Sequence, residues 1–139
     1  MIAEEVMSDN PKSIREDASI GEAVEVFVSA DFRHLPVLRG RELVGMLSNR
    51  DVQTLITPRL VDIVALEQLK ARYDDPVSEL MSTDVVKVYP DTDLGEVIDR
   101  MLEEKVGALP VVDADTGDLL GIVSYVDVLR SLRDEAVEA

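Results

Sequence analysis

Leu35-Pro36-Val37-Leu38, followed by Gly45-Met46-Leu47-Ser48-Asn49-Arg50-Asp51, is written twice in this chain. It returns as Leu109-Pro110-Val111-Val112 and Gly121-Ile122-Val123-Ser124-Tyr125-Val126-Asp127. The halves also open alike, on Val6-Met7-Ser8 and Leu80-Met81-Ser82. The spacing is 74 residues from Met7 to Met81 and from Leu35 to Leu109, and 76 from Gly45 to Gly121. The second copy therefore carries two extra residues near Asp113 to Gly117. A fixed period marks a duplicated structural unit.

Each copy takes about half of 139 residues, too little to bury a sizeable core alone. The copies are expected to share one core with pseudo-two-fold symmetry, and a cleft at their junction suits a small ligand. Apolar residues make up 46% of the chain, which excludes disorder. The absence of Cys removes disulfides, thiolate zinc sites and cysteine nucleophiles. A net charge of −15 argues against nonspecific binding to nucleic acid or anionic lipid, and it reads as a well-solvated surface. No stretch approaches the roughly 20 apolar residues that span a bilayer. The acidic start Met1-Ile2-Ala3-Glu4-Glu5 is unlike a signal peptide, so a cytoplasmic protein is expected. Met1 and the charged Arg133-Asp134-Glu135 tail are read as the ends of a complete, stand-alone chain.

Both copies run in the same order. An extended piece comes first, Lys12-Ser13-Ile14 and Val85-Val86-Lys87-Val88. Ser19 with Glu22 forms a capping-box pattern, and Asp93 or Thr92 takes the same role in copy two. Ile20, Ala23, Val24, Phe27 and Val28 then fall on one helical face, matched by Leu94, Val97, Ile98, Met101 and Leu102. These stripes read as core. Two strands follow, 35–38 and 43–47, joined by the turn Arg39-Gly40-Arg41-Glu42; in copy two they are 109–112 and 119–123. The extra residues fall in that hairpin loop, where insertions are tolerated. A second helix begins near Ser48 or Ser124, carrying Val52, Leu55 and Ile56 or Val128, Leu129 and Leu132. Between the copies, Pro58, Leu60, Ile63, Val64, Leu66 and Leu69 suggest an amphipathic connector helix, closed by Asp74-Asp75-Pro76. The expected fold class is α/β (α+β): two β-α-β-β-α repeats, over 1–73 with the connector and 74–139.

Enzyme readings find little support. The chain has no Walker-type phosphate loop and no His-Glu-x-x-His, and its one histidine, His34, cannot build a His-rich metal site. No catalytic residue, metal site or required cofactor is expected.

The doubled pattern closely resembles the CBS domain, named after cystathionine β-synthase. The resemblance rests on Val6-Met7-Ser8, Phe32-Arg33-His34-Leu35-Pro36-Val37-Leu38 and Gly45 through Val52, and on Leu80-Met81-Ser82, Val106-Gly107-Ala108-Leu109-Pro110-Val111-Val112-Asp113 and Gly121 through Val128. It covers nearly the whole chain and implies a tandem pair, or Bateman module. Such modules bind adenosine-containing ligands between their copies: AMP, ADP, ATP or S-adenosylmethionine, and in some cases NAD or dinucleotides. They often form disc-like homodimers through their helices and sense ligand levels for an attached or separate effector protein. The resemblance thus implies a regulatory nucleotide-binding module. The alternative is a dimerisation module with vestigial clefts.

By the same resemblance, Ser48 with Asp51 and Ser124 with Asp127 are ligand residues at the strand-to-helix junctions. A carboxylate can accept both ribose hydroxyls through charge-assisted bonds. The same residues also fit a purely structural role, serine as helix N-cap and aspartate at N3. Arg50 could meet a phosphate in a bidentate contact or be a solvated helix residue; its counterpart is Val126. Arg33 and His34, ahead of Pro36, correspond to Gly107 and Ala108, ahead of Pro110. The family pattern groups Ser124, Asp127, Val86 and Val88 with Arg33 or His34. It groups Ser48, Arg50, Asp51, Ser13 and Ile14 with Gly107 and Ala108. The two sites are therefore expected to differ in affinity for phosphate.

Overall fold

The computed structural model describes residues 1–29, 33–53, 67 and 70–138. In order, the elements are α1 (Ala3–Val6), β1 (Ser8–Asp9), β2 (Ile14–Arg15), α2 (Ile20–Ser29), β3 (His34–Arg39), β4 (Glu42–Ser48) and α3 (Asn49–Gln53). A single 3-10 turn (Val77–Glu79) follows, then α4 (Leu94–Glu104), β5 (Ala108–Val112), β6 (Leu119–Ser124) and α5 (Tyr125–Glu138). Phe32, Leu55, Ile56 and the connector residues Pro58, Leu60, Ile63, Val64, Leu66 and Leu69 lie outside the described residues.

The chain divides into two compact units. The first comprises Lys12–Gly40 and Val44–Val85; the second comprises Met1–Pro11, Arg41–Leu43 and Val86–Ala139. Each contains one three-stranded sheet, ordered β2-β3-β4 in the first unit and β1-β6-β5 in the second. The registers correspond residue for residue. Ile14 pairs in parallel with Val37, and Val88 in parallel with Val111. On the other side Ser82 bridges Met46, and Ser8 pairs with Ile122.

The opening segment of each copy thus packs in the unit that holds the body of the other. Val77 N–H donates to Ala18 O (2.8 Å) and Ile20 N–H to Asp75 O (2.8 Å). Ala3 N–H donates to Thr92 O (2.8 Å) and Leu94 N–H to Met1 O (2.8 Å). Val77 and Ala3 are both fully buried. Glycine makes room for the incoming segment. A Cβ on Gly121 would stand 2.5 Å from Met7 Sδ and 2.8 Å from Ser8 O, and one on Gly45 would meet Met81 Sδ and Ser82 O.

Local chemistry explains the helix starts. Ser19 Oγ accepts from Glu22 N–H (3.1 Å) at the head of α2. Asp93 caps α4 by accepting from Gly95 N–H (3.2 Å), while Thr92 Oγ1 holds the preceding turn through Tyr89 N–H (2.9 Å). The hairpin turn uses Gly40 at φ +63°, and the longer loop uses Gly117 at φ +77°, a backbone region that favours glycine. The two added residues sit in that loop, where Asp113 Oδ1 accepts from the N–H groups of Asp115 (2.8 Å) and Thr116 (3.0 Å).

Ile20, Ala23, Phe27, Leu35, Val37, Leu47, Val52 and Val77 form the first unit's core. Leu94, Val97, Met101, Leu109, Val111, Val123 and Val128 form most of the second's. The stripe reading needs correction at its outer ends. Val28 is 81% exposed and its counterpart Leu102 is 71% exposed. Leu129 and Leu132 are exposed as well. The sheet covers only one side of each helix, and these four side chains turn past it. The first strand of each copy is also shorter than expected. It is two residues in β2, where Ile14 and Arg15 pair with Val37 and Leu38, and a single bridge at Val88, which pairs with Val111.

Candidate functional site

The sequence-selected residues gather at the same end of each sheet. In the first unit β4 ends at Ser48 and α3 starts at Asn49. Ser48 Oγ accepts from Asp51 N–H (3.0 Å), and Asp51 Oδ2 accepts from Ser48 N–H (3.0 Å). This reciprocal box fixes both side chains at the strand-to-helix corner. Asn49 N–H donates to Arg33 O (2.8 Å), which ties the corner to the start of β3. His34 follows, half-buried. Burial holds its pKa below the usual imidazole value of 6.5, Asp51 opposes that shift, and Arg33 adds to it. Ser13 precedes Ile14, the residue that pairs with Val37, and Pro36 is buried beneath. Arg50 and Arg33 are exposed, and neither makes a salt bridge with another described residue.

The second unit repeats the construction. Ser124 N–H donates to Asp127 Oδ2 (2.9 Å), and Asp127 N–H donates to Ser124 Oγ (3.2 Å). Tyr125 N–H donates to Gly107 O (2.9 Å), the counterpart of the Asn49–Arg33 bond. Ala108 lies opposite Ser124 in the β5–β6 register. Val88 N–H donates to Pro110 O (3.0 Å), and Val86 packs partly buried against the core. Asp127 is 12% exposed, and its Oδ1 faces Arg130 Nη1 at 3.8 Å.

Both serines are therefore helix N-caps and both aspartates N3 residues, so the structural alternative is realised twice. That role does not exhaust their chemistry: a serine hydroxyl that accepts one bond can still donate another, and each carboxylate oxygen carries two lone pairs. The first unit brings Ser13, Ile14, Arg33, His34, Pro36, Ser48, Arg50 and Asp51 together. The second does the same for Val86, Val88, Gly107, Ala108, Pro110, Ser124 and Asp127. The sequence grouping joins Arg33 or His34 to Asp127; within its own unit, His34 has Asp51 as a neighbour.

Two site residues were not legible as such. Tyr125, half-exposed, places its ring over Gly107, where a Cβ would stand 3.4 Å from Cδ1. Arg130 lies three residues after Asp127, a spacing that places two side chains on one helix face and could have signalled the pair. Beside this corner, α4 and α5 border an apolar groove of about 580 Å³ lined by Met101, Leu102, Val106, Tyr125, Leu129 and Leu132 among others. Among the described residues, no group of three or more His, Asp or Glu could hold a metal ion. None of their helices is long and apolar enough to cross a membrane.

The CBS domain model matches residues 3–57 and 77–134, once for each copy. The chain belongs to the CBS-domain family. It is 36% identical over 123 residues to the 5'-AMP-activated protein kinase subunit gamma-3 of Bos taurus, which covers 86% of this chain and 23% of the relative. It is 30% identical over 125 residues to the homoserine O-acetyltransferase of Methanocorpusculum labreanum, covering 89% and 23%. The chain thus spans about a quarter of the length of these curated relatives. Among solved structures it is similar to the CBS-pair protein CBSX2 of Arabidopsis thaliana, with 27% identity, a TM-score of 0.86 and coverage of 99% and 98%. A structure of CBSX2 in complex with AMP matches at 28% identity and TM-score 0.81, covering 97% and 98%. The chain is a CBS pair with a mixed α+β fold.

Proposed function

We propose that this CBS pair is a non-catalytic sensor of an adenosine-containing nucleotide: AMP, ADP, ATP or S-adenosylmethionine. The ligand is held at the Ser48–Asp51 and Ser124–Asp127 corners. The observation that carries the reading is the reciprocal Ser/Asp box, built twice in matching register in a chain similar to a CBS pair solved with AMP. The box presents a fixed carboxylate, preorganised to accept ribose hydroxyls. Calorimetry on ligand-stripped protein with AMP, ATP and S-adenosylmethionine tests this. Saturable binding is expected, and no heat with any of them at about millimolar ligand, near the weak end of specific affinity, overturns it.

Occupancy is reported through a homodimer. The α4–α5 groove and the exposed Leu102, Leu129 and Leu132 form an apolar face that a second copy would cover. A sedimentation shift to monomer in Leu102→Asp/Leu129→Asp is the expected result. A separate effector protein and a cytoplasmic setting belong to the same proposal. A second reading, a dimerisation module with vestigial sites, draws on the capping role that already accounts for both Ser/Asp pairs. It requires an intact dimer that takes up no nucleotide.

A further inference from the structure

The two corners share one backbone and differ in what surrounds it. Matching registers make the positions directly comparable: Arg33 stands where Gly107 does, His34 where Ala108 does, Asn49 where Tyr125 does, and Arg50 where Val126 does. In the first unit the corner is flanked by two exposed guanidinium groups, with His34 beside Asp51. A guanidinium offers a planar fork of donors that fits phosphate oxygens in pairs. On a chain of net charge −15, such a cluster runs against the overall field.

In the second unit the same positions carry no charge. Tyr125 lays a half-exposed ring over Gly107, Ala108 adds one methyl group, and Val126 is partly exposed. Two cations lie near. Arg130 is already turned to Asp127, and Lys105, the left-handed C-cap of α4, sits on the groove wall. Neither occupies a position equivalent to Arg33 or Arg50. A flat apolar ring beside a glycine suits a thioether or similar uncharged group better than a phosphate dianion, whose desolvation there would go uncompensated.

We propose that the two sites are specialised by the 5' substituent of the adenosine they bind: the Ser48–Asp51 site takes phosphorylated adenosines, and the Ser124–Asp127 site takes adenosines without phosphate. This rests on the nucleotide reading above and assigns a ligand class to each site. The experiment is calorimetry of the full chain with AMP and with 5'-methylthioadenosine, separately and in competition. Wild type should bind each at a different site, without mutual displacement. Arg33→Ala/Arg50→Ala changes only exposed side chains, so circular dichroism and melting should be unaltered. It should weaken AMP by about tenfold or more, the loss of a charge-assisted contact, and leave 5'-methylthioadenosine unchanged. Val126→Arg, on an exposed helix position, should create a second AMP site. Rising salt should weaken AMP binding and spare the neutral ligand. Competition for one site, equal weakening of both ligands, or AMP binding indifferent to the arginines overturns the proposal. Failure of wild type to bind either ligand overturns the nucleotide reading itself.

Discussion

The Ser48–Asp51 corner and the Ser124–Asp127 corner differ hardly at all in their hydrogen bonds. Each has two box bonds of 2.9 to 3.2 Å and one backbone bond of 2.8 or 2.9 Å to the start of the neighbouring strand. Their surroundings differ in charge, size and polarity. Backbone-directed bonds hold the corner, so residues between the serine and the aspartate are free to vary. On the proposed reading, specificity can therefore change at positions 50 and 126, and at 33 and 107, which hold the corner through backbone carbonyls, without disturbing the scaffold.

The sharpest way to separate the two halves is through their buried glycines. Gly121→Ala should cost on the order of 1–3 kcal/mol, the usual range for overpacking. Its new methyl would stand 2.8 Å from the Ser8 carbonyl, a backbone atom that cannot swing aside. Gly45→Ala should cost less. Its nearest backbone atom is 3.1 Å away, and the closer obstacle is the flexible Met81 side chain. Urea denaturation of the two variants checks the ordering, and equal losses would break it.

A smaller effect tests the equivalence of the corners. Ser48→Ala and Ser124→Ala each remove an N-cap and should each lower stability by about 1 kcal/mol. A gap between them larger than about 0.5 kcal/mol, beyond the additivity error of independent sites, would show that one box bears more of the fold.

The smallest effect belongs to the first unit alone, which holds the only histidine. The folded pKa of His34 lies below its ordinary 6.5, chiefly through burial, so the unfolded chain takes up the proton first as pH falls. Stability should therefore decline as pH drops below about 6.5 and level off below the folded pKa. Denaturation midpoints between about pH 7.5 and 5.5 should show less of this decline in His34→Asn. An identical slope in the variant would remove His34 as its source.

Much of the fold was legible because the chain states it twice. The apolar strand runs around Leu-Pro-Val, the Ser19 and Asp93 caps and the glycine turns each rest on local chemistry that sequence displays directly. The outer ends of the apolar stripes were harder to read. Val28 and Leu102 continue the helical period beyond the width of the sheet, and periodicity alone does not reveal how wide the covering surface is. The Ser/Asp pairs were legible as either caps or ligand residues, because both roles need the same oxygen atoms. The backbone partners of Arg33 and Tyr125 were not, since they depend on a strand start meeting a helix start far away in sequence.

The exchange of opening segments puts the repeat and the folding unit out of phase. A fragment cut at the sequence period, residues 1–73, would leave behind Val77 and Ser82, which complete its own sheet edge and core. It would carry Ala3 and Ser8, whose partners lie beyond the cut. A fragment over 12–85 would instead keep almost every contact of the first unit within itself. Anyone dividing this protein, or shuffling one half against another, should cut about a dozen residues after each repeat begins, where the backbone passes from one sheet to the next.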